Sequence, residues 1–388
     1  MGSAPVNPEP GPETGPEPGA VRGRPAISGR LPTIWWERLG LGVPVLLVAA
    51  VASLGTPLDL EVNGRLEQAG RQVAWGSADF GAFIGRLYPP LPVAVAGLVP
   101  GGAAWLSVAG ALVGGVAVHA LLERLRSRQV PGWVIAVLIT GFVANPAFLQ
   151  LATEDLADFV GAGLFVIALV GFLRFAVDGD THGGFLCGLA LGLAAACTPV
   201  TVLYAAFLGL AAAPVAAQRY HEPYSARAAA LVVTFPAFGA LAGWTFLEWR
   251  FTGSATGWLR AAAPAVGLPG EKLATLGASV RTVAIGVATS PLFVATQLLL
   301  ARRRRGALVI TVLAVAALVA GLWLGLRQAS GYSAVLLGAV ALCSVPSRPS
   351  APVSRIVAAT GVAGWIAIWL WAAVADDRLG RWTDALIS

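Results

Sequence analysis

Two carboxylates one residue apart, Asp59 and Glu61, stand in the one long polar interruption of an otherwise apolar chain. The interruption runs from Pro57 to Pro92 and reads PLDLEVNGRLEQAGRQVAWGSADFGAFIGRLYPPLP. An acid at a membrane surface, under a partly apolar loop, can have its pKa tuned to serve as a general base. Asp59 is the candidate catalytic base, and Glu61 is a candidate substrate contact. The stretch closes on Arg86-Leu87-Tyr88-Pro89-Pro90-Leu91. Its two prolines fix the backbone and remove two donors, which stiffens the turn; the same string also reads as a plain helix start. Arg86 and Tyr88 join the candidate substrate-binding residues.

Two further polar groups could serve the same chemistry. Asn145-Pro146 leads to Glu154-Asp155, with Asp158 one turn later. These acids either complement a helix N-terminus or form a polar wall for a substrate, and Glu154 and Asp155 are candidate contacts. The segment 250–280 carries Arg250, Arg260, Glu271 and Lys272. Arginine suits phosphate because its planar fork gives two parallel hydrogen bonds; such residues also serve as interfacial anchors. Arg250, Arg260 and Lys272 are candidate phosphate or substrate contacts. No metal site is expected, since His119, His182 and His221 are far apart and Cys187, Cys197 and Cys343 show no CxxC spacing. No Walker motif and no strand-to-helix GxGxxG is present, so no cofactor of the ATP or NAD type is expected.

The elements that must position these residues are apolar helices. Of 388 residues, 57% are hydrophobic and 12% charged, and mean hydropathy is +0.75; a soluble chain carries about a quarter charged residues. Apolar runs of the length needed to cross a bilayer, roughly 17–25 residues, recur throughout. The composition predicts an all-α polytopic membrane protein, since a membrane-spanning backbone must satisfy its own hydrogen bonds. Spans are expected near 39–55, 103–122, 132–149, 156–175, 184–198, 199–217, 228–248, 281–300, 306–326, 331–345 and 355–374, about eleven in all.

Charge sets the expected topology. The formal charge of +6 sits in short clusters between spans rather than on one basic face, which argues against nucleic acid as a partner. The segment Pro89–Pro100 is short for a crossing. If it does not cross, sixteen of the 26 basic residues fall on one side, including Arg124, Arg126, Arg128 and the run Arg302–Arg305. If it crosses, that count drops to eleven. The excess marks the cytoplasmic side, so Pro89–Pro100 is expected to be re-entrant or interfacial. The predicted organisation is a disordered cytoplasmic tail over 1–30, a transmembrane domain over 31–375 with its first outer loop at 56–100, and an outer C-terminal tail over 376–388. The expected location is the cell membrane, with many passes, the N-terminus cytoplasmic and the C-terminus outside. Trp35, Trp36, Trp105, Trp133 and Trp249 fall near span ends, as an aromatic belt would.

Together these residues resemble a family. The order is a span, then Asp59-Leu60-Glu61-Val62, a polar loop, Tyr88-Pro89-Pro90-Leu91, and a short apolar segment ending Leu98-Val99-Pro100. It resembles the polyprenol-phosphomannose-dependent mannosyltransferases of actinobacteria, members of the GT-C membrane glycosyltransferase superfamily. Residues 40–125 carry the clear part, and Gly188–Ala194 with Thr198-Pro199 a weaker one. The resemblance implies a GT-C-like fold and inverting transfer of a sugar, mannose first, on the outer face. Asp59 would take a proton from the acceptor hydroxyl as polyprenyl phosphate leaves, with arginine stabilising the phosphate and no metal required. It further implies membrane lipids, a polyprenyl-phosphate sugar donor and a glycolipid, glycan or protein acceptor as partners. The chain departs from that family at Asn63, where relatives often carry tyrosine, and at Glu154-Asp155. A non-catalytic scaffold and a transporter or flippase for a lipid-linked solute are the alternatives.

Overall fold

The computed structural model describes residues 31–54, 61–220, 223–262, 269–303, 307–326, 331–374 and 378–387. At some helix ends, those of Glu61, Arg260 and Lys272 among them, the description covers backbone only. The expected tail over 1–30 and the Asp59 turn lie outside the described residues. The chain divides into two compact units, Met1–Trp36 and Glu37–Ser388. The described part of the first is the opening of a helix.

Every regular element among the described residues is helical. In order they are α1 (Leu31–Leu54), α2 (Glu61–Gln72), α3 (Phe80–Arg86), α4 (Pro90–Leu98), α5 (Ala103–Ser127), α6 (Gly132–Val143), α7 (Pro146–Glu154) and α8 (Leu156–Leu173). A π-helical turn, Arg174–Asp178, follows. Then come α9 (Thr181–Ala195), α10 (Val200–Tyr220), α11 (Pro223–Thr252), α12 (Gly257–Ala262), α13 (Pro269–Ala288) and α14 (Pro291–Arg303). The chain ends with α15 (Ala307–Trp323), α16 (Tyr332–Cys343), α17 (Ala351–Val374) and α18 (Arg378–Ile387).

Among the described residues, four stretches are long and apolar enough to cross a membrane: α5, α8 with its π-helical turn, residues 227–252 of α11, and α17. The number rises to six if the bent pairs α6–α7 and α13–α14 are each one span. Length alone thus identifies fewer spans than the expected eleven or so. The stretches expected at 132–149 and 281–300 are broken, with bends of 50° and 82°. Pro146 and Pro291 cause the breaks, because each lacks an N–H and clashes with the preceding turn. Helix α16 has twelve residues, a rise of about 18 Å against the roughly 30 Å of a hydrocarbon core. Helix α4, with nine residues, rises about 14 Å and is likewise too short to cross.

Most of the buried apolar residues form one cluster that runs through α5–α11 and α13–α18. A second, smaller cluster contains Leu66, Val73, Leu87, Val93, Ala96, Leu106 and Leu156, with Trp244 against it. The stretch that reads as a polar loop is therefore three helices, α2 to α4, with an apolar underside resting on α5, α8 and α11. Close approach requires glycine at two places on α5. A Cβ on Gly110 would overlap the Ala152 carbonyl of α7, and one on Gly115 would overlap the Arg38 carbonyl of α1. Helix α11 lies at the other extreme: only 11% of its span is buried within the protein, and Leu231, Phe235, Phe238, Phe246 and Trp249 are exposed. An apolar face of that extent suits lipid. Trp105, Trp133 and Trp249 are each more than half exposed near helix ends, in keeping with an aromatic belt.

The C-terminal stretch expected as a tail is in fact the helix α18. It buries Leu379, Trp382 and Thr383, spaced i, i+3, i+4 on one face, and it packs against α17 and α7. Four polar or basic residues among ten mask that pattern in a hydropathy reading.

Candidate functional site at the α7–α8 joint

The site is built on a single residue that ends one helix and begins the next. The Asp155 N–H donates to the Leu151 carbonyl at 3.1 Å, which closes α7. Its side chain accepts from the Asp158 N–H at 3.3 Å, which opens α8. Aspartate suits that N-cap position because its oxygen satisfies an amide that has no helical partner. Asp158 then stands in the first turn, where negative charge meets the positive end of the helix dipole. The start of α7 follows the same logic: Asn145 accepts from the Ala147 N–H at 2.9 Å, and Pro146 takes the first helical position.

This joint is buried. Glu154, Asp155 and Asp158 are 1%, 4% and 5% exposed. Gln150, one turn before Glu154, donates to its carboxylate at 3.3 Å. Three carboxylates so placed are costly to desolvate unless neighbouring groups or a bound partner satisfy them. Tyr204 of α10 and Tyr332 of α16 stack at 6.3 Å between ring centroids, and both hydroxyls lie within electrostatic range of Asp158. Four helices therefore contribute polar groups to one locality.

Asn63 is the clamp. It is fully buried on the first turn of α2. Its amide donates to the Thr153 carbonyl at 2.9 Å and accepts from the Leu156 N–H at 3.0 Å. One side chain thus satisfies a carbonyl at the end of α7 and an amide at the start of α8, both left without helical partners. The Ser107 hydroxyl of α5 donates to the same Thr153 carbonyl at 2.7 Å. A second joint is closed in a similar way: the Leu91 N–H, in the first turn of α4, donates to the Ala196 carbonyl after α9 at 3.2 Å.

The sequence-predicted residues fall into two groups. Glu154 and Asp155 sit in the joint. Tyr88 lies on a different wall, with its ring 6.0 Å from Trp244 of α11 and 6.1 Å from Trp258 of α12. The Tyr88-Pro89 peptide is cis. Burial, with the nearby Glu248 charge adding to it, holds the Tyr88 hydroxyl well above the usual phenol range. The Glu248 carboxylate accepts from the Trp258 backbone N–H at 2.9 Å and so caps α12. Arg86 is exposed and turns back to the Gln72 carbonyl at 3.2 Å. Arg250 is exposed, with its guanidinium 5.8 Å from the Phe251 ring centre, and Phe251 stacks on Phe80 of α3 at 5.4 Å. Neither arginine reaches the joint by these contacts: Arg86 is held to the end of α2, and Arg250 lies along the α3–α11 contact. Asp59 lies outside the described residues, as do the side chains of Glu61, Arg260 and Lys272. Among the described residues no group of three or more His, Cys, Asp or Glu has the arrangement of a metal site.

Comparison with known proteins adds nothing to this geometry. No family model, curated protein or solved structure matches the chain. The residues that sequence reasoning missed are Asn63, Ser107, Tyr204, Tyr332, Trp244, Trp258 and Glu248. Asn63 stood out only as a departure from a motif. A lone polar residue on the apolar side of a short amphipathic helix is the signal that could have found it.

Proposed function

We propose that the chain is an integral membrane glycosyltransferase of GT-C-like fold with about eleven crossings, using a polyprenyl-phosphate sugar. Mannose is the first candidate sugar, and the acceptor is a lipid, glycan or protein. The shorter apolar helices α9, α10 and α15, with α1, would supply the crossings beyond the six counted with the bent pairs. The α2–α4 segment is the outer face, the basic end of α5 and Arg348 after α16 are cytoplasmic, and the C-terminus is outside. Asp59 is the general base, which removes the acceptor proton as the anomeric carbon is attacked and polyprenyl phosphate departs.

The observation that carries this reading is the clamp. The helix that begins within the Asp59-Leu60-Glu61-Val62 motif docks through Asn63 onto the buried carboxylate joint. Asp59 lies four residues before Asn63, a reach of at most about 14 Å. Buried ionisable residues among membrane helices mark functional sites by default, because keeping them there is costly. Tyr88, Trp244 and Trp258 form an aromatic wall suited to a sugar ring. An apolar groove along α11, the helix that carries Trp244, is lined by Phe238, Leu241, Thr245, Phe246 and Trp249 and suits a prenyl chain. Arg250 and Arg260, close by in the chain, are the candidate phosphate contacts.

A second reading, transport of a lipid-linked solute, is favoured by the bends of 50° and 82°, since broken helices commonly form transport sites. Reconstituted vesicles separate the two. Sugar transfer from a polyprenyl-phosphate donor supports the transferase; donor movement across the bilayer with no transfer product supports the transporter.

A further inference from the structure

We propose that the outward face of α15 binds one anionic phospholipid, with an acyl chain along the helix and the headgroup at Arg302. Helix α15 packs on α10, α13 and α14 and buries Ala314 and Leu318 in the main core. Another face carries an open apolar groove of about 450 Å³ that runs from Thr311 to Trp323. The small side chains of Ala316 and Ala320 leave a recess between Val312, Val315, Val319 and Trp323. Val312 is 65% and Trp323 41% exposed, so both ends of the recess are accessible. From Thr311 to Trp323 the helix rises about 18 Å, close to the roughly 15 Å of hydrocarbon in one leaflet.

Lipid tails are as apolar as the groove, so burial alone selects no occupant. Charge at one end does. The Thr311 hydroxyl donates to Gln297 at 2.8 Å, and Gln297 donates to the Ser344 hydroxyl at 3.2 Å. These bonds pin the start of α15 beside the last turns of α14. Helix α14 ends at Arg303 and α15 begins at Ala307, a spacing that makes the two an antiparallel hairpin. Arg302 is exposed and lies five residues past Gln297, about 7.5 Å beyond the Thr311 end of the groove. A headgroup layer is about 5–8 Å thick on each side of the hydrocarbon, so Arg302 stands at headgroup height. Its charge has no acid nearby in the chain: no Asp or Glu occurs between Glu271 and Asp376, whereas Arg302–Arg305 is a run of four arginines. Basic residues so placed attract anionic headgroups. A second copy of the chain fits the groove less well, because a twofold axis along the membrane normal would bring two arginine ends of like charge together. The proposal is independent of the glycosyltransferase reading and requires only that α15 lie in the bilayer.

The test places the full-length protein in nanodiscs of equal parts phosphatidylglycerol and phosphatidylcholine with matched acyl chains. Native mass spectrometry of the released protein reads the retained lipid and the oligomeric state. The wild type is expected to retain phosphatidylglycerol in preference. Arg302→Gln is expected to lower that preference about fivefold, the contribution of one arginine near an anionic surface. The double change Ala316→Leu with Ala320→Leu fills the groove and is expected to abolish the preference. Two controls keep it: Ala363→Leu, on an exposed part of α17, and Arg126→Gln, exposed at the end of α5. Should the double variant fail to fold, Arg302→Gln decides alone, since its side chain is at the surface. Equal retention of the two lipids by the wild type overturns the site. So does an unchanged preference in either variant, or a wild-type dimer that the groove-filling changes dissociate.

Discussion

The two ends of α5 solve the problem of polar groups in opposite ways. Ser107 and Arg124 lie seventeen residues apart on that helix, about 25 Å along its axis. At the Ser107 end, neutral side chains reach backbone groups that helix breaks have left without partners, and nearly everything is buried. At the Arg124 end, side chains pair with side chains across loops: Arg126 and His119 with Glu37, Arg124 with Asp178, and Arg174 with Asp180. Most of those partners are a quarter to a half exposed. Burial makes a hydrogen bond expensive to lose, whereas exposure makes an ion pair cheap to lose. The first end should therefore be the rigid one, and the second the one that responds to salt and pH.

Substitutions can break that contrast. The largest effect is expected at the clamp. Asn63→Leu leaves the Leu156 N–H buried without an acceptor, a cost of about 1–3 kcal/mol, and should detach α2 from the joint. Thermal unfolding of the purified protein reads the loss, and limited proteolysis within 61–98 reads the detachment. A smaller effect is expected where two donors share one acceptor. Trp365 and Trp369 of α17 both donate to the Ala144 carbonyl at the α6–α7 break, at 3.1 and 3.0 Å. Each single change to phenylalanine should cost about 0.5 kcal/mol or less, and the double change more than their sum, because only then is the carbonyl left alone. Additive singles would contradict shared capping.

At the Arg124 end the effects shrink. Arg126→Gln breaks an exposed pair and should cost under about 1 kcal/mol, less in high salt. The pH response is smaller still per group. Hydrogen bonds from Arg126 hold the Glu37 carboxyl below its usual range, and those from Arg174 do the same for Asp180. A carboxyl depressed in the folded state contributes stability above its unfolded value, and that stability is lost as pH falls below about 4. Wild-type stability should therefore drop on acidification through that window. The drop should be shallower in Asp180→Asn, and unfolding curves across the window measure the difference.

The contrast also explains what could be read in advance. Helical class followed from composition, and the weight of Glu154-Asp155 followed from three acids within five residues of an apolar run. The two proline breaks were visible as residues, but their 50° and 82° consequences depend on what packs against them. The 57–92 stretch reads as a polar loop because fewer than half of its residues are hydrophobic. Leu66, Val73, Leu87 and Val93 matter through α5, α8 and α11, which are distant in sequence. The Asn63 clamp joins residues ninety and ninety-three positions apart, and the Arg124–Asp178 pair joins residues fifty-four apart. A local pattern can flag Asn63 as out of place, but it does not name the partners of such contacts.

The central claim is that the buried joint and the motif before α2 form one catalytic centre. The most direct measurement is transfer of labelled sugar from a polyprenyl-phosphate donor in membranes containing wild-type protein or Asp59→Asn, with Glu61 intact. Transfer by the wild type that falls at least a hundredfold in the variant, as loss of a general base does, is the predicted result. Equal transfer by the two proteins would contradict the account.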